Sequence, residues 1–198
     1  IYENEVSQSL GMSRTPLREA IKALILEGLV EVLPQRGIRI CLISEKEVEH
    51  ARFVRASLEI SACMQLARVW DSKLESYRAL EREIEEALRK QVEAEQEDNA
   101  IEFLAYDERF HALLLNAFGN EKLIPVVYQM RGHINRLRYL MLKELKHIDV
   151  LVKEHREIYE AIRSNDAQRC EKVMERHLAK LNVEFPAVKK LFPNYFAD

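Results

Sequence analysis

From residue 45 to residue 185 apolar residues recur every three or four positions almost without a break, and nothing else in the sequence narrows the fold as much. With only 5 glycines and 5 prolines in 198 residues, little interrupts that period, so long helices are expected. A helix over 45–70 turns Val48, Ala51, Val54, Ala56, Leu58, Ala62, Leu66 and Ala67 inward. One over 72–98 buries Leu74, Tyr77, Leu80, Ile84, Ala87, Leu88 and Val92, and leaves the charged run Glu81–Lys90 as a solvated surface. Further helices are expected over 99–117, 121–144, 148–164 and 166–183. Pro125 is tolerated in a first turn, and the last helix ends before Pro186. Long helices joined by short loops pack as an antiparallel bundle.

The first 43 residues follow another pattern. Residues 4–10 suit a short helix with Val6 and Leu10 inward and Gly11 as its stop. Ser13 is a good N-cap and Pro16 fits the first turn of a helix that runs to Glu27 and closes at Gly28. Arg14, Arg18 and Lys22 recur every four residues on one face, while Leu17, Ala20, Ile21 and Leu24 can seal a core on the other. Two helices joined by a short turn containing glycine form a helix-turn-helix, whose second helix enters the DNA major groove. The β-prone runs 29–33 and 38–42 flank Pro34-Gln35-Arg36-Gly37, a hairpin whose Arg36 tip is placed to reach a minor groove. Ser44 and Glu47 have capping-box spacing and mark a boundary, giving domains 1–43 and 44–198.

Charge alone does not advertise a nucleic-acid binder. The net charge is −3, and in the first 40 residues Arg14, Arg18, Lys22, Arg36 and Arg39 are balanced by Glu3, Glu5, Glu19, Glu27 and Glu31. DNA binding must therefore rest on where the charges sit. No apolar run approaches the ~20 residues that cross a bilayer. Cys41, Cys63 and Cys170 are odd in number and scattered, without CxxC spacing, which reads as small buried hydrophobes in a reducing cytoplasm.

The stretch SRTPLREAIKALILEGLVEVLPQRG resembles the winged helix-turn-helix of GntR-family bacterial transcription regulators through its Ser-Arg-x-Pro-x-Arg-Glu-Ala core, Glu-Gly-Leu turn and Arg-Gly wing. The resemblance implies that Arg14 and Arg18 read bases or phosphates, that Ser13 and Thr15 contact phosphate and that Gly37 lies at the wing tip. Lys22 and Arg36 complete the expected DNA-binding set. That family's domain has one more helix before the position of Ile1, so the chain reads as a truncated winged helix-turn-helix followed by an all-α bundle.

The bundle carries a possible metal site. Asp107 and His111 are four apart and emerge from one helix face. His155 is in step with Leu151, Ile158 and Ile162, and His177 with Cys170, Val173, Met174 and Leu181, so both point inward. Polar groups converging in a core are costly unless something satisfies them together, and a divalent cation does so. The stretches DERFH, EHREIYEAIRSND and MERHL resemble the FCD ligand-binding domain of the FadR subfamily of GntR regulators. This implies that Asp107, His111, His155 and His177 ligate a divalent ion, zinc foremost with nickel or manganese as alternatives, beside which a small anionic metabolite binds. Arg55, which can pair with Glu59 four residues on, and His133 and Arg136, three apart, are candidate effector contacts. His50 and His147, near helix ends, read as solvent-exposed.

The expected function is that of a cytoplasmic regulator, in the repressing mode commoner in that family. It would bind pseudo-palindromic operator DNA as a homodimer, with no membrane partner. A metal-dependent hydrolase is the rival, since such a site could activate water, but Glu108 and Glu154 should point off the ligand face and leave no general base. A purely structural metal is the third reading.

Overall fold

The protein, seen here in a computed structural model that describes residues 1–197, is helical except for one hairpin. Helix α1 (Glu3–Leu10) ends at Gly11, whose φ of 62° is the left-handed conformation that closes a helix without a Cβ penalty. Helix α2 (Arg14–Leu26) starts from Ser13, and strands β1 (Val30–Leu33) and β2 (Gly37–Ile40) pair antiparallel, Val30 opposite Ile40 and Leu33 opposite Gly37. The backbone of Ile1 adds to the outer side of β2, exchanging hydrogen bonds with Ile38 of 3.0 and 2.8 Å. The core here is small: Leu17, Ile21 and Ile38, with Val6 and Val30 against them. Leu10, Ala20 and Leu24, expected inside, are exposed, because two short helices and one hairpin cannot cover a second row of side chains.

Helices α3 (Glu45–Val69), α4 (Glu75–Gln96), α5 (Ala100–Ala117), α6 (Leu123–Leu145), α7 (Ile148–Arg163) and α8 (Ala167–Leu191) form the bundle. Ser44, Asn99 and Asp166 each cap the helix that follows by accepting from the backbone N–H three residues on. Helix α3 packs on α5, α6, α7 and α8, while α4 packs on α5 and α7. The main core holds Leu66, Ile84, Leu88, Phe110, Ile158, Ile162 and Met174, all essentially sealed from solvent. No described helix is long and apolar enough to cross a membrane.

Leu74 and Val92, expected inside, are exposed, and the bundle departs from expectation in two further respects. Helix α8 does not stop before Pro186 but runs on to Leu191. The interior proline removes one backbone hydrogen bond, and burial of Phe185 and Val188 against Phe196 offsets that cost of ~3 kcal/mol. Second, Cys63 and Cys170 are not free hydrophobes. The contact of α3 with α8 brings these buried residues together, Cα atoms 6.5 Å apart, as a disulfide, and only Cys41 is free.

The hairpin joins the bundle through a tight seam. Ile43 is buried in a bundle cluster with Val48, Ile134 and Phe196, and its N–H donates to the Tyr195 carbonyl at 2.8 Å. Helix α6 lies against this seam. A Cβ on Gly132 would meet the Leu29 side chain at 3.0 Å, so the missing side chain is what lets Leu29 approach.

Candidate functional site

All six bundle helices converge on one buried cluster. Asp107 and His111 come from α5, His155 from α7 and His177 from α8, and one ligand atom from each lies within 4.8 Å of all the others. His155 Nε2 is 3.2 Å from His177 Nε2, which is 3.3 Å from His111 Nε2, while Asp107 Oδ1 is 3.4 Å from His155 Nε2. Nitrogens that share an ion at ordinary bond lengths stand about 3.0–3.4 Å apart, so the spacing already suits a metal.

The surroundings fix which nitrogen faces inward. His155 Nδ1 lies 2.7 Å from Gln91 Oε1, and the Gln91 amide is oriented because its Nε2 donates to the Tyr106 carbonyl at 3.1 Å. His177 Nδ1 is 3.0 Å from Glu154 Oε2, and His111 Nδ1 is 2.8 Å from Glu59 Oε2. The hydrogen-bond acceptors of His155 and His177 assign the proton to Nδ1 and leave those Nε2 lone pairs pointing into the cluster. Burial pushes the imidazolium form of His177 down to about 4, against the opposing pull of Glu154, and burial holds His155 well below the ordinary value. Both rings are neutral at pH 7, so lone pairs face lone pairs. Ring stacking of Phe110 on His155, centroids 4.6 Å apart, holds that ring in place.

The acids are held ionised. Burial alone would raise Asp107, but Arg138, with Nη2 2.5 Å from Oδ1, and the facing histidines pull it far below the usual carboxylate range. Glu59 is likewise raised by burial but brought down to about 2 by Arg55, whose Nε donates to it at 2.7 Å, and by His111. Three imidazole nitrogens and one ionised carboxylate are a donor set that fits zinc, nickel or manganese. An ion held there would act as a Lewis acid toward an oxygen ligand.

A cavity of about 50 Å³ opens over His177, between α3, α6, α7 and α8. Arg52, Arg55, Arg138, Lys180, His147 and Glu184 supply its charge, and aliphatic side chains such as Ile134, Leu151 and Leu181 line the rest. Of the three expected effector contacts, the structure brings only Arg55 here. His133 Nδ1 instead accepts from the Ser44 N–H at 3.2 Å, and Arg136 Nη1 donates to the Cys41 carbonyl at 2.6 Å, so both sit on the seam with the hairpin. Arg138, two positions beyond Arg136, is the arginine that faces the site. His147, expected in solvent, lines the cavity 3.3 Å from Glu184, and Glu154, expected to point away, is the partner of His177. Glu108 does turn away, to Arg131.

At the other end of the molecule Ser13, Arg14, Thr15, Arg18, Lys22 and Arg36 are all exposed, with Gly37 at the hairpin turn at a φ of 89°. Arg18 is paired with Glu3 at 2.9 Å, Lys22 with Glu19 at 2.8 Å, and Arg39 with Glu31. Among the described residues Arg14 and Arg36 have no such acid.

A winged helix-turn-helix followed by an all-helical bundle that encloses a cavity defines a DNA-binding transcriptional regulator with a ligand-binding domain. Comparison with known proteins agrees: residues 1–40 match the bacterial regulatory proteins of the gntR family and residues 51–180 match the FCD domain. The chain belongs to the GntR family and carries an FCD domain. It is 31% identical over 197 residues to an uncharacterised HTH-type transcriptional regulator in an unstable DNA locus of Streptomyces ambofaciens, covering 100% of this chain and 80% of that one. It is 24% identical over 198 residues to the HTH-type transcriptional repressor RspR of Escherichia coli K12, covering 84% of that protein. The fold is that of E. coli McbR/YncC, with a TM-score of 0.76 at 16% identity over 93% of this chain and 87% of that one. Proteins of this family bind operator DNA and are not enzymes; FCD domains bind small effectors and commonly a metal.

Proposed function

We propose that this chain is a cytoplasmic repressor of the FadR subfamily. It would act as a homodimer on a pseudo-palindromic operator, residues 1–43 reading DNA through Arg14, Arg18, Lys22, Arg36 and the Gly37 turn, with Ser13 and Thr15 on phosphate. Residues 44–198 would sense a small carboxylate or sugar acid at a divalent ion held by Asp107, His111, His155 and His177. The observation that carries this reading is the convergence of three histidine ring nitrogens and the Asp107 carboxylate beneath a cation-lined cavity. Elemental analysis after dialysis against zinc is expected to find one ion per chain in the wild type and none in His155→Ala or His177→Ala. Full occupancy in those variants would remove both as ligands. If stripping the ion lowers the melting temperature yet leaves effector binding intact, the ion is structural and not part of the sensor.

Helix α6 supplies a route between the two ends. It presents Arg138 to Asp107 on one side and Arg136 and His133 to the backbone of Cys41 and Ser44 on the other. A ligand that shifts Arg138 therefore biases the seam that holds the reading head. Arg136→Ala is expected to loosen that seam without touching the ion. Losing a hydrogen bond from a charged donor, worth ~1.5–3 kcal/mol, should speed amide exchange at Ile43 and Ser44 about tenfold or more, with zinc content unchanged. Exchange at the wild-type rate would show that α6 does not hold the seam.

A further inference from the structure

The cavity is a shaft with two ends. On α3 Arg52 precedes Glu59 by seven residues, on α7 His147 precedes His155 by eight, and on α8 Glu184 follows His177 by seven. Each pair joins one residue at the histidine cluster to one at the far end, and at 1.5 Å per residue the two layers stand about 10–12 Å apart. Between them the wall is largely aliphatic.

Charge decides what can lie along that shaft. The four cations of the cavity, Arg52, Arg55, Arg138 and Lys180, are equalled by four carboxylates in or behind its wall, Glu59, Asp107, Glu154 and Glu184. A divalent ion at the cluster would therefore add positive charge to a site whose own carboxylates are already matched by cations. The pairing is also uneven along the length. Arg55 holds Glu59, Arg138 holds Asp107 and Lys180 holds Glu154 at 2.9 Å, all at or near the metal layer. Glu184 at the far end is taken by His147. Among the described residues Arg52 has no carboxylate within reach, and its buried Nε has no hydrogen-bond partner. A guanidinium nitrogen left unsatisfied away from water is costly, and an anion delivered from outside would satisfy it.

We infer that the occupant is a compact dicarboxylate, with one carboxylate at the metal end and the second on Arg52 at the far end, its short carbon chain lying between the aliphatic walls. The inference rests on reading this cavity as the effector site, and it adds the second anchor. A volume of about 50 Å³ gives room for roughly four water positions, which favours a compact ligand over a bulky one.

Calorimetric titration of the zinc-loaded, full-length protein with succinate and with butyrate tests it, since butyrate keeps the chain length and replaces one carboxylate by a methyl. In the wild type succinate is expected to bind roughly tenfold to a hundredfold more tightly than butyrate. Arg52→Gln should bring succinate down to the butyrate level and leave butyrate where it was, whereas Arg52→Lys should keep part of the preference. Zinc content of each variant reports that the bundle is intact. Equal binding of the two acids by the wild type, or an equal loss of both in Arg52→Gln, overturns the second anchor while the effector site itself stands. Binding of neither acid overturns the reading of the cavity as a carboxylate site, and the inference with it.

Discussion

Removing the divalent ion is expected to lower the melting temperature by roughly 10 °C. His155 and His177 donate through Nδ1 to Gln91 and Glu154, and His111 Nδ1 lies 2.8 Å from Glu59, so without a cation the three Nε2 atoms crowd one another at 3.2 and 3.3 Å. Side chains from α5, α7 and α8 thus meet with nothing to bind them together, and an ion would convert the same geometry into three bonds. A ligand present at a thousand times its dissociation constant and bound only by the folded state adds ~4 kcal/mol. For a domain of this size each kcal/mol moves the melting point by about 2–4 °C, which gives roughly 8–16 °C. Calorimetry of chelator-treated protein before and after zinc addition measures it directly. His177→Ala should abolish the zinc-dependent shift, which separates loss of the ion from the cost of the substitution itself. A shift below about 3 °C in the wild type would mean that the ion does not tie these three helices together.

The part of this centre legible in the sequence is the part that obeys local spacing. Asp107 and His111 declare themselves by their four-residue interval, and His155 and His177 by falling in step with the apolar stripes of α7 and α8. Most of the groups that surround those candidate ligands are not related to them by any interval. Glu59, Gln91 and Arg138 lie on three other helices and meet the cluster only through the packing of the bundle. Arg136 and Arg138 show the difference sharply. Two residues turn a helix by about 200°, so only one of them can face the cavity. Arg138 keeps step with the buried Ile134 and Met141, a signal present in the sequence, whereas the attractive three-residue spacing of His133 and Arg136 marks the opposite face. Helix ends were legible where a side chain caps them, at Ser44, Asn99 and Asp166, and not at Pro186, where tertiary burial of Phe185 and Val188 overrides a local stop signal. The Cys63–Cys170 pairing was invisible for the same reason, since 107 residues separate two positions that meet only when α3 lies on α8.

Arg14→Ala is expected to weaken operator binding more than Arg18→Ala, although the two residues lie one turn apart on the same exposed face. Both contacts would contribute ~1–3 kcal/mol if they read base edges, and each lost phosphate contact would lower the slope of log affinity against log salt by about one. Their starting states differ. Arg14 would meet DNA free, whereas Arg18 would first have to leave Glu3, whose carboxylate lies 2.9 Å from its Nε and would itself be repelled by the phosphate backbone. Part of what Arg18 gains on DNA is therefore already spent on Glu3, and its deletion costs correspondingly less. Exposed ion pairs of this kind are worth ~0.2–1 kcal/mol, so Glu3→Gln should tighten operator binding by up to about fivefold and widen the effect of Arg18→Ala toward that of Arg14→Ala. The double variant Arg14→Ala/Arg18→Ala should lose about tenfold or more, with less than full additivity because the side chains are neighbours. Gel-shift titrations of the full-length protein at two salt concentrations distinguish these cases. Unchanged affinity in the double variant would displace α2 as the reading helix. A Glu3→Gln variant that binds more weakly would show that the pair with Arg18 positions the guanidinium for DNA instead of competing for it.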